Sequence, residues 1–140
     1  MKKNIYSDMR KFTNINESIR FGNHTLDDGR ILYQDDDFFI VYDGFPVSPG
    51  HILIITSGDE VTYFDLSDQK RNKLNKMLDH AKNIIEGEHS PDGYNIGMNC
   101  GSAAGQTVMQ FHCHLIPRYN GDVPDPRGGV RHSVMGKGFY

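Results

Sequence analysis

Between Gly105 and Arg118 the chain reads Gly105-Gln106-Thr107-Val108-Met109-Gln110-Phe111-His112-Cys113-His114-Leu115-Ile116-Pro117-Arg118, a run with strand character. Side chains along a strand alternate between two faces. Val108, Gln110, His112, His114 and Ile116 then share one face, and Met109, Phe111, Cys113 and Leu115 the other. The second face is uniformly apolar and must be covered. The first sets two imidazoles and an amide side by side. Aligning polar groups in this way adds little stability, so that face points to chemistry.

The cover for the apolar face is legible upstream. From Ser67 to about Glu88, Leu74, Met77, Leu78, Ala81, Ile84 and Ile85 recur at helical spacing as one apolar stripe. Ser67 is the expected N-cap, with Lys70 rather than an acid three residues on, so no capping box forms. Gly87 helps end the helix. Strand candidates are Ser18–Leu26 with a bend at Gly22, Arg30–Gln34, Asp37–Tyr42, His51–Ile55 and Tyr94–Met98. The apolar run Phe38–Tyr42 is expected to be central in the sheet. The acidic run Asp35-Asp36-Asp37 reads as a turn with solvated charges, and His80 as a solvated helix residue. A shorter helical turn is expected near Asp59–Phe64. Strands, one long helix, then more strands predict an α+β fold with about five antiparallel strands. Residues 1–16 read as an N-terminal arm, 17–122 as the domain and 123–140 as a Gly- and Pro-rich irregular tail.

Composition narrows the function classes. A length of 140 residues suits one domain, and the formal charge of −3 argues against nonspecific nucleic-acid binding. No stretch is long and apolar enough to span a membrane. The segment from Met1 to Asp8 lacks the apolar core of a leader, so a cytoplasmic protein with reduced thiols is expected. Cys113, on the apolar face, reads as a small buried hydrophobe.

A neutral imidazole can attack phosphorus, giving a phosphoramidate that water later hydrolyses. The loop Gly101-Ser102-Ala103-Ala104-Gly105 can bring backbone N–H groups to an anion. A His-x-His pair on a strand also suits zinc, with His51 as a third ligand, and surface histidines without chemistry are a third reading. The residues alone leave these three open.

With those residues in view, the chain resembles the histidine triad (HIT) family, whose signature is His-φ-His-φ-His-φ-φ with φ apolar. The matching run is Gln110-Phe111-His112-Cys113-His114-Leu115-Ile116, followed by Pro117-Arg118. Gly105-Gln106-Thr107-Val108, Pro49-Gly50-His51 and Arg20-Phe21-Gly22-Asn23-His24 also look like the family, and like its fragile histidine triad branch, which cleaves diadenosine polyphosphates. The resemblance runs from about Arg20 to Asp122. It implies that His112 is a nucleophile toward the α-phosphorus of a nucleotide and that His114 hydrogen-bonds near the scissile phosphate. It makes His51 the outlying histidine of the site. It implies nucleotide contacts from Asp43 at the ribose, from Asn99, Gln106 and Thr107 near the phosphates, and from Phe21, Leu26, Val41 and Leu53 around the base. It further implies a homodimer, no obligatory metal or cofactor, and Mg²⁺ entering, if at all, with the substrate polyphosphate. The first triad histidine is replaced by Gln110, which cannot titrate near neutrality. Retention of His112 favours an active nucleotide hydrolase or nucleotidyl transferase. A catalytically weak nucleotide-binding protein, or a metal-binding protein using His112, His114 and His51, are the alternatives. On its strand Gln110 is expected to face the bound phosphate as a neutral stand-in for an imidazole.

Overall fold

The computed structural model describes residues 19–140. The expected arm at 1–16 and the start of the domain at 17–18 lie outside the described residues. A small hairpin comes first, β1 (Ile19–Phe21) against β2 (His24–Leu26), turning at Gly22. The main sheet has five antiparallel strands: β3 (Ile31–Gln34), β4 (Phe38–Tyr42), β5 (Ile52–Thr56), β6 (Gly93–Gly97) and β7 (His112–Arg118). Their spatial order is β3-β4-β5-β7-β6. β4 is an interior strand, but the middle place goes to β5, whose five residues are all buried. Among the described residues the one long helix, α1 (Asp68–Glu86), is capped by Ser67, whose hydroxyl accepts from Lys70 N–H at 3.1 Å.

The two faces of the sheet bury different cores. Phe38, Ile40, Ile52, Ile54, Cys113 and Leu115 pack beneath Leu74, Met77, Ala81 and Ile85 of α1. The helix therefore covers the apolar side of the histidine strand, as the alternation requires. On the opposite face Phe39, Val41, Leu53 and Ile55 pack with Leu26, and Ile19 and Phe21 close over them from the hairpin. His112 and His114 emerge on this second face, opposite Ile55 and Leu53 of β5.

Several details depart from the alternation and charge patterns. Strand β7 starts only at His112, so Val108 to Phe111 belong to the preceding loop. Phe111 is still buried, because its N–H donates to the Glu60 carbonyl and its own carbonyl accepts from Thr56 N–H. Met109 is not: with no strand to point it inward, it is 52% exposed. Asp35 is not a solvated charge. Its carboxylate accepts from the N–H groups of Asp37 and Phe38 and from Tyr33 OH, and Lys73 bridges it to Asp37. Its pKa is lowered: burial works against ionisation, but these hydrogen bonds outweigh it. His80 is half-buried, edge-on to Tyr33 at 4.5 Å. The short helical turn falls at Tyr63–Asp65, slightly beyond the expected place, because Thr62 and Asp65 form a reciprocal cap there. After Asp122 the chain is irregular apart from a 3-10 turn at Gly129–Ser133 that lies against β6.

Candidate functional site

Four side chains converge on the polar face beside the hairpin. His112 and His114 come from β7, Asp43 from the residue after β4, and His51 from the residue before β5. β4 and β5 pair in register from Phe38↔Thr56 to Tyr42↔Ile52, and the Asp43 N–H donates to the His51 carbonyl at 2.9 Å. That ladder places the carboxylate and the outlying imidazole together across an eight-residue sequence gap.

Hydrogen bonds assign the tautomers. The His112 Nδ1 lies 2.8 Å from the Gln110 carbonyl oxygen, which can only accept, so Nδ1 carries the proton. The His112 Nε2 lone pair is thereby left free. The Val47 N–H donates to His51 Nδ1 at 3.2 Å, which puts the neutral His51 proton on Nε2. That Nε2–H donates to His114 Nδ1 at 2.9 Å, and the His114 proton sits on its Nε2. One backbone N–H and one backbone carbonyl thus fix three imidazoles.

The electrostatics keep the inner pair neutral. Burial pushes His114 down to about 4, with the neighbouring charges of protonated His112 and His51 adding to the effect and Asp43 opposing it. His51, only 3% exposed, is also shifted down by burial against the pull of Asp43. The Asp43 Oδ2 stands 3.5 Å from His51 Nε2 and 3.9 Å from His114 Nδ1, while its Oδ1 accepts from Phe45 N–H at 2.8 Å.

The other residues expected at a site separate into groups. Phe21 packs its ring edge-on against His112, centroids 4.8 Å apart, so it borders that imidazole as well as the second core. Leu26, Val41 and Leu53 lie together in the second core on the histidine side. Asn99 and Thr107 are exposed on the loop that leads to β7. Gln106 is buried, and its amide serves the loop itself: Oε1 accepts from Gly101 N–H, and Nε2 donates to the Val61 and Val108 carbonyls. The N–H groups of Gly101, Ala104, Gly105 and Gln106 also close within this loop, so they are not the open anion cradle that its glycines suggest. The Gln110 amide has protein partners on three sides. It is held by the hairpin backbone (Gly22 N–H into Oε1, Nε2 to the Arg20 carbonyl) and by the Thr56 carbonyl.

Sequence reasoning misses Val47 and the carbonyl of Gln110 as tautomer-setting groups. Every residue carries those backbone atoms, so no side-chain pattern marks them. It also misses the Glu60–Lys70 ion pair, at 2.7 Å, which holds the Thr56 hydroxyl at the end of β5.

Asp43, His51 and His114 offer ligand atoms within 4.8 Å of one another. A cation there would need the His51 Nε2 lone pair, which requires a proton on Nδ1. The Val47 N–H occupies that nitrogen. The donor set as folded is a hydrogen-bonded relay, and metal binding would have to break it.

Comparison with known proteins places the chain in a family. The HIT domain family model matches residues 25–121, and the chain belongs to the HIT family. It is 38% identical over 87 residues to the purine nucleoside phosphoramidase of Escherichia coli, covering 61% of this chain and 73% of that protein. It is 27% identical over 97 residues to the AP-4-A phosphorylase of Mycobacterium tuberculosis, covering 69% of this chain. The chain spans about half the length of that relative (50%). Among solved structures, a zinc-bound histidine triad family protein from Mycobacterium smegmatis superposes with a TM-score of 0.60 at 30% identity, covering 68% of this chain and 73% of its own. HIT-family members are nucleotide-processing hydrolases and transferases, and this chain carries their fold.

Proposed function

We propose that this protein cleaves a nucleotide at its α-phosphate through a nucleotidyl-His112 intermediate, releasing a mononucleotide such as AMP. The substrate class is a dinucleoside polyphosphate or related adenylate. The single observation that carries the reading is the bond from His112 Nδ1 to the Gln110 carbonyl, which leaves the opposite nitrogen as a lone pair.

In the first step His112 Nε2 forms a P–N bond as the bond from phosphorus to the leaving oxygen breaks. The ring, still protonated at Nδ1, becomes cationic, and the Gln110 carbonyl stabilises that charge. In the second step water (or another acceptor, for a transferase) attacks phosphorus. The P–N bond breaks, its electron pair returns to His112 Nε2, and the water proton leaves to solvent. The cationic ring is a good leaving group, so two modest barriers replace one high one. His114, with its proton on Nε2, provides a neutral N–H donor for the phosphate or the leaving oxygen. The relay through His51 keeps it from turning over. Asp43 fits the ribose hydroxyls as an acceptor, Asn99 and Thr107 the phosphates, and the slot of Phe21, Leu26, Val41 and Leu53 the base.

The protein functions without a resident metal, and Mg²⁺ accompanies only the polyphosphate. We place it in the cytoplasm as a homodimer, with edge strand β6 and its half-exposed Ile96 offering unpaired backbone to a second copy. The second reading, a weak nucleotide binder, rests on Gln110, which cannot donate a titrating proton. Turnover of a fluorogenic adenylate together with AMP calorimetry separates the two. Turnover in the parent, with loss of turnover but retained AMP binding in His112→Ala, supports the covalent enzyme. Turnover in His112→Ala within a few-fold of the parent refutes it. AMP binding that depends on added zinc would favour the metal reading.

A further inference from the structure

We propose that Gln110 is a positioning residue that clasps the β1–β2 hairpin to the nucleophile strand and thereby sets the orientation of His112. It does so without touching the substrate. This proposal rests on the reading of His112 as the nucleophile.

The side chain of Gln110 has two N–H donors and a carbonyl acceptor. Its Nε2 donates to the Arg20 carbonyl at 3.2 Å and to the Thr56 carbonyl at 2.9 Å, and its Oε1 accepts from Gly22 N–H at 3.1 Å. Both donors are spent. The partners lie on two otherwise separate sheets: Arg20 and Gly22 belong to the hairpin, and Thr56 ends β5. One amide therefore joins the hairpin tip to the main sheet. The backbone of the same residue does the second job, because its carbonyl accepts the His112 Nδ1 proton.

The neighbouring groups confirm how closely the tip is seated. Gly22 adopts a φ of +58°, and a Cβ built there would stand 2.9 Å from Val108 Cγ1. A side chain at this position would be strained by the positive φ and would crowd Val108. Phe21, the residue before it, lays its ring against His112. The hairpin itself has strands of only three residues each, too short to hold a fixed place by their own pairing. A loosened tip would release the Phe21 ring from the nucleophile and free the loop that carries the Gln110 carbonyl.

This arrangement accounts for glutamine in place of histidine. A neutral imidazole has one donor and one acceptor, so it can make two of these bonds but not three. The replacement trades a titratable ring for a tighter clasp, and Gln110→His should slow turnover rather than raise it.

The test compares Gln110→Ala, Gln110→Glu and Gln110→His with the parent on one adenylate substrate, alongside amide exchange. For Gln110→Ala the Gly22 amide should exchange at least about tenfold faster, while the amides of α1 keep their protection. Its kcat should fall roughly tenfold to hundredfold, the cost of a nucleophile displaced by about an ångström. KM and AMP affinity should change by less than kcat does, since Phe21 also borders the base slot. Gln110→Glu keeps the acceptor but loses both donors, so its kcat should fall with that of Gln110→Ala. Should Gln110→Ala fail to fold, Gly22→Ala displaces the same tip from Val108 and should reproduce the kcat loss. Unchanged Gly22 exchange, or a kcat within twofold of the parent, overturns the clasp. So does a loss confined to KM, which would place Gln110 on the substrate. The exchange arm needs no turnover. If the parent proves inactive the functional reading fails, and Gly22 exchange alone still decides the clasp.

Discussion

Acid should destabilise this fold through its histidine cluster well before its carboxylates titrate. The His114 ring moves from an ordinary 6.5 to about 4, burial being the main cause. Between those values the unfolded chain binds a proton that the folded ring refuses. Stability therefore falls as pH falls through this window and is fully present above it. From pH 7 to pH 5 the shift corresponds to about 2 kcal/mol if the site were shut off from water. The ring is 23% exposed, so screening reduces this to about 1 kcal/mol. His51 and His80 shift in the same direction through burial, so the parent loses more than this in total. The lowered carboxylates Asp35 and Asp122 lose their contributions only below their ordinary 3.8. Urea unfolding at pH 7 and pH 5, at one protein concentration, isolates the effect when His114→Gln is compared with the parent. The variant should recover about 1 kcal/mol of the difference between the two pH values, roughly half a molar in midpoint. If parent and variant lose the same stability between pH 7 and pH 5, His114 is not held neutral by its surroundings.

Three further outcomes follow from the packing. Cys113 is fully buried and its thiol is pushed up to about 12 by burial, whereas Cys100 is half-buried, so a thiol reagent should label Cys100 in the folded protein and reach Cys113 only on unfolding. Phe21→Ala should leave α1 and the main sheet intact by circular dichroism yet lower kcat severalfold, since the ring edge that borders His112 is lost. Ser67→Ala removes the side-chain acceptor for Lys70 N–H and should cost about 1 kcal/mol of stability without changing turnover, read by urea unfolding and the adenylate assay.

The fold was legible because its two strongest signals are large and redundant. The apolar stripe from Leu74 to Ile85 spans several turns, and its helix ends within two residues of the expected limits. Strands β3 to β6 likewise fall within a residue or so of their apolar runs. The alternation failed at Val108 to Phe111, where a period of two continues in the side chains but the backbone is already committed elsewhere. Gln106 and Gln110 hold that loop by long-range bonds to Val61, Arg20, Gly22 and Thr56, and nothing in local sequence reports such partners. At the site, side-chain identity marked His51, His112 and His114, and the family resemblance added Asp43; the sheet brings the four together. Neither revealed the tautomers, because these are set by Val47 N–H and the Gln110 carbonyl. The family resemblance implied a phosphate contact for Gln106, while in the fold its amide, 3% exposed, is bonded within the loop. A polar residue in a motif states what it can bond to, and packing decides which partner it gets.

Attack by His112 followed by attack by water makes two in-line displacements at one phosphorus, and each inverts its configuration. A single direct attack by water inverts it once. The decisive measurement is hydrolysis of an adenylate bearing a chiral α-phosphorothioate in isotopically labelled water, with the configuration of the product determined. The covalent account predicts net retention, whether or not the intermediate accumulates. Net inversion would contradict it and leave His112 as a base or a binding group rather than the nucleophile.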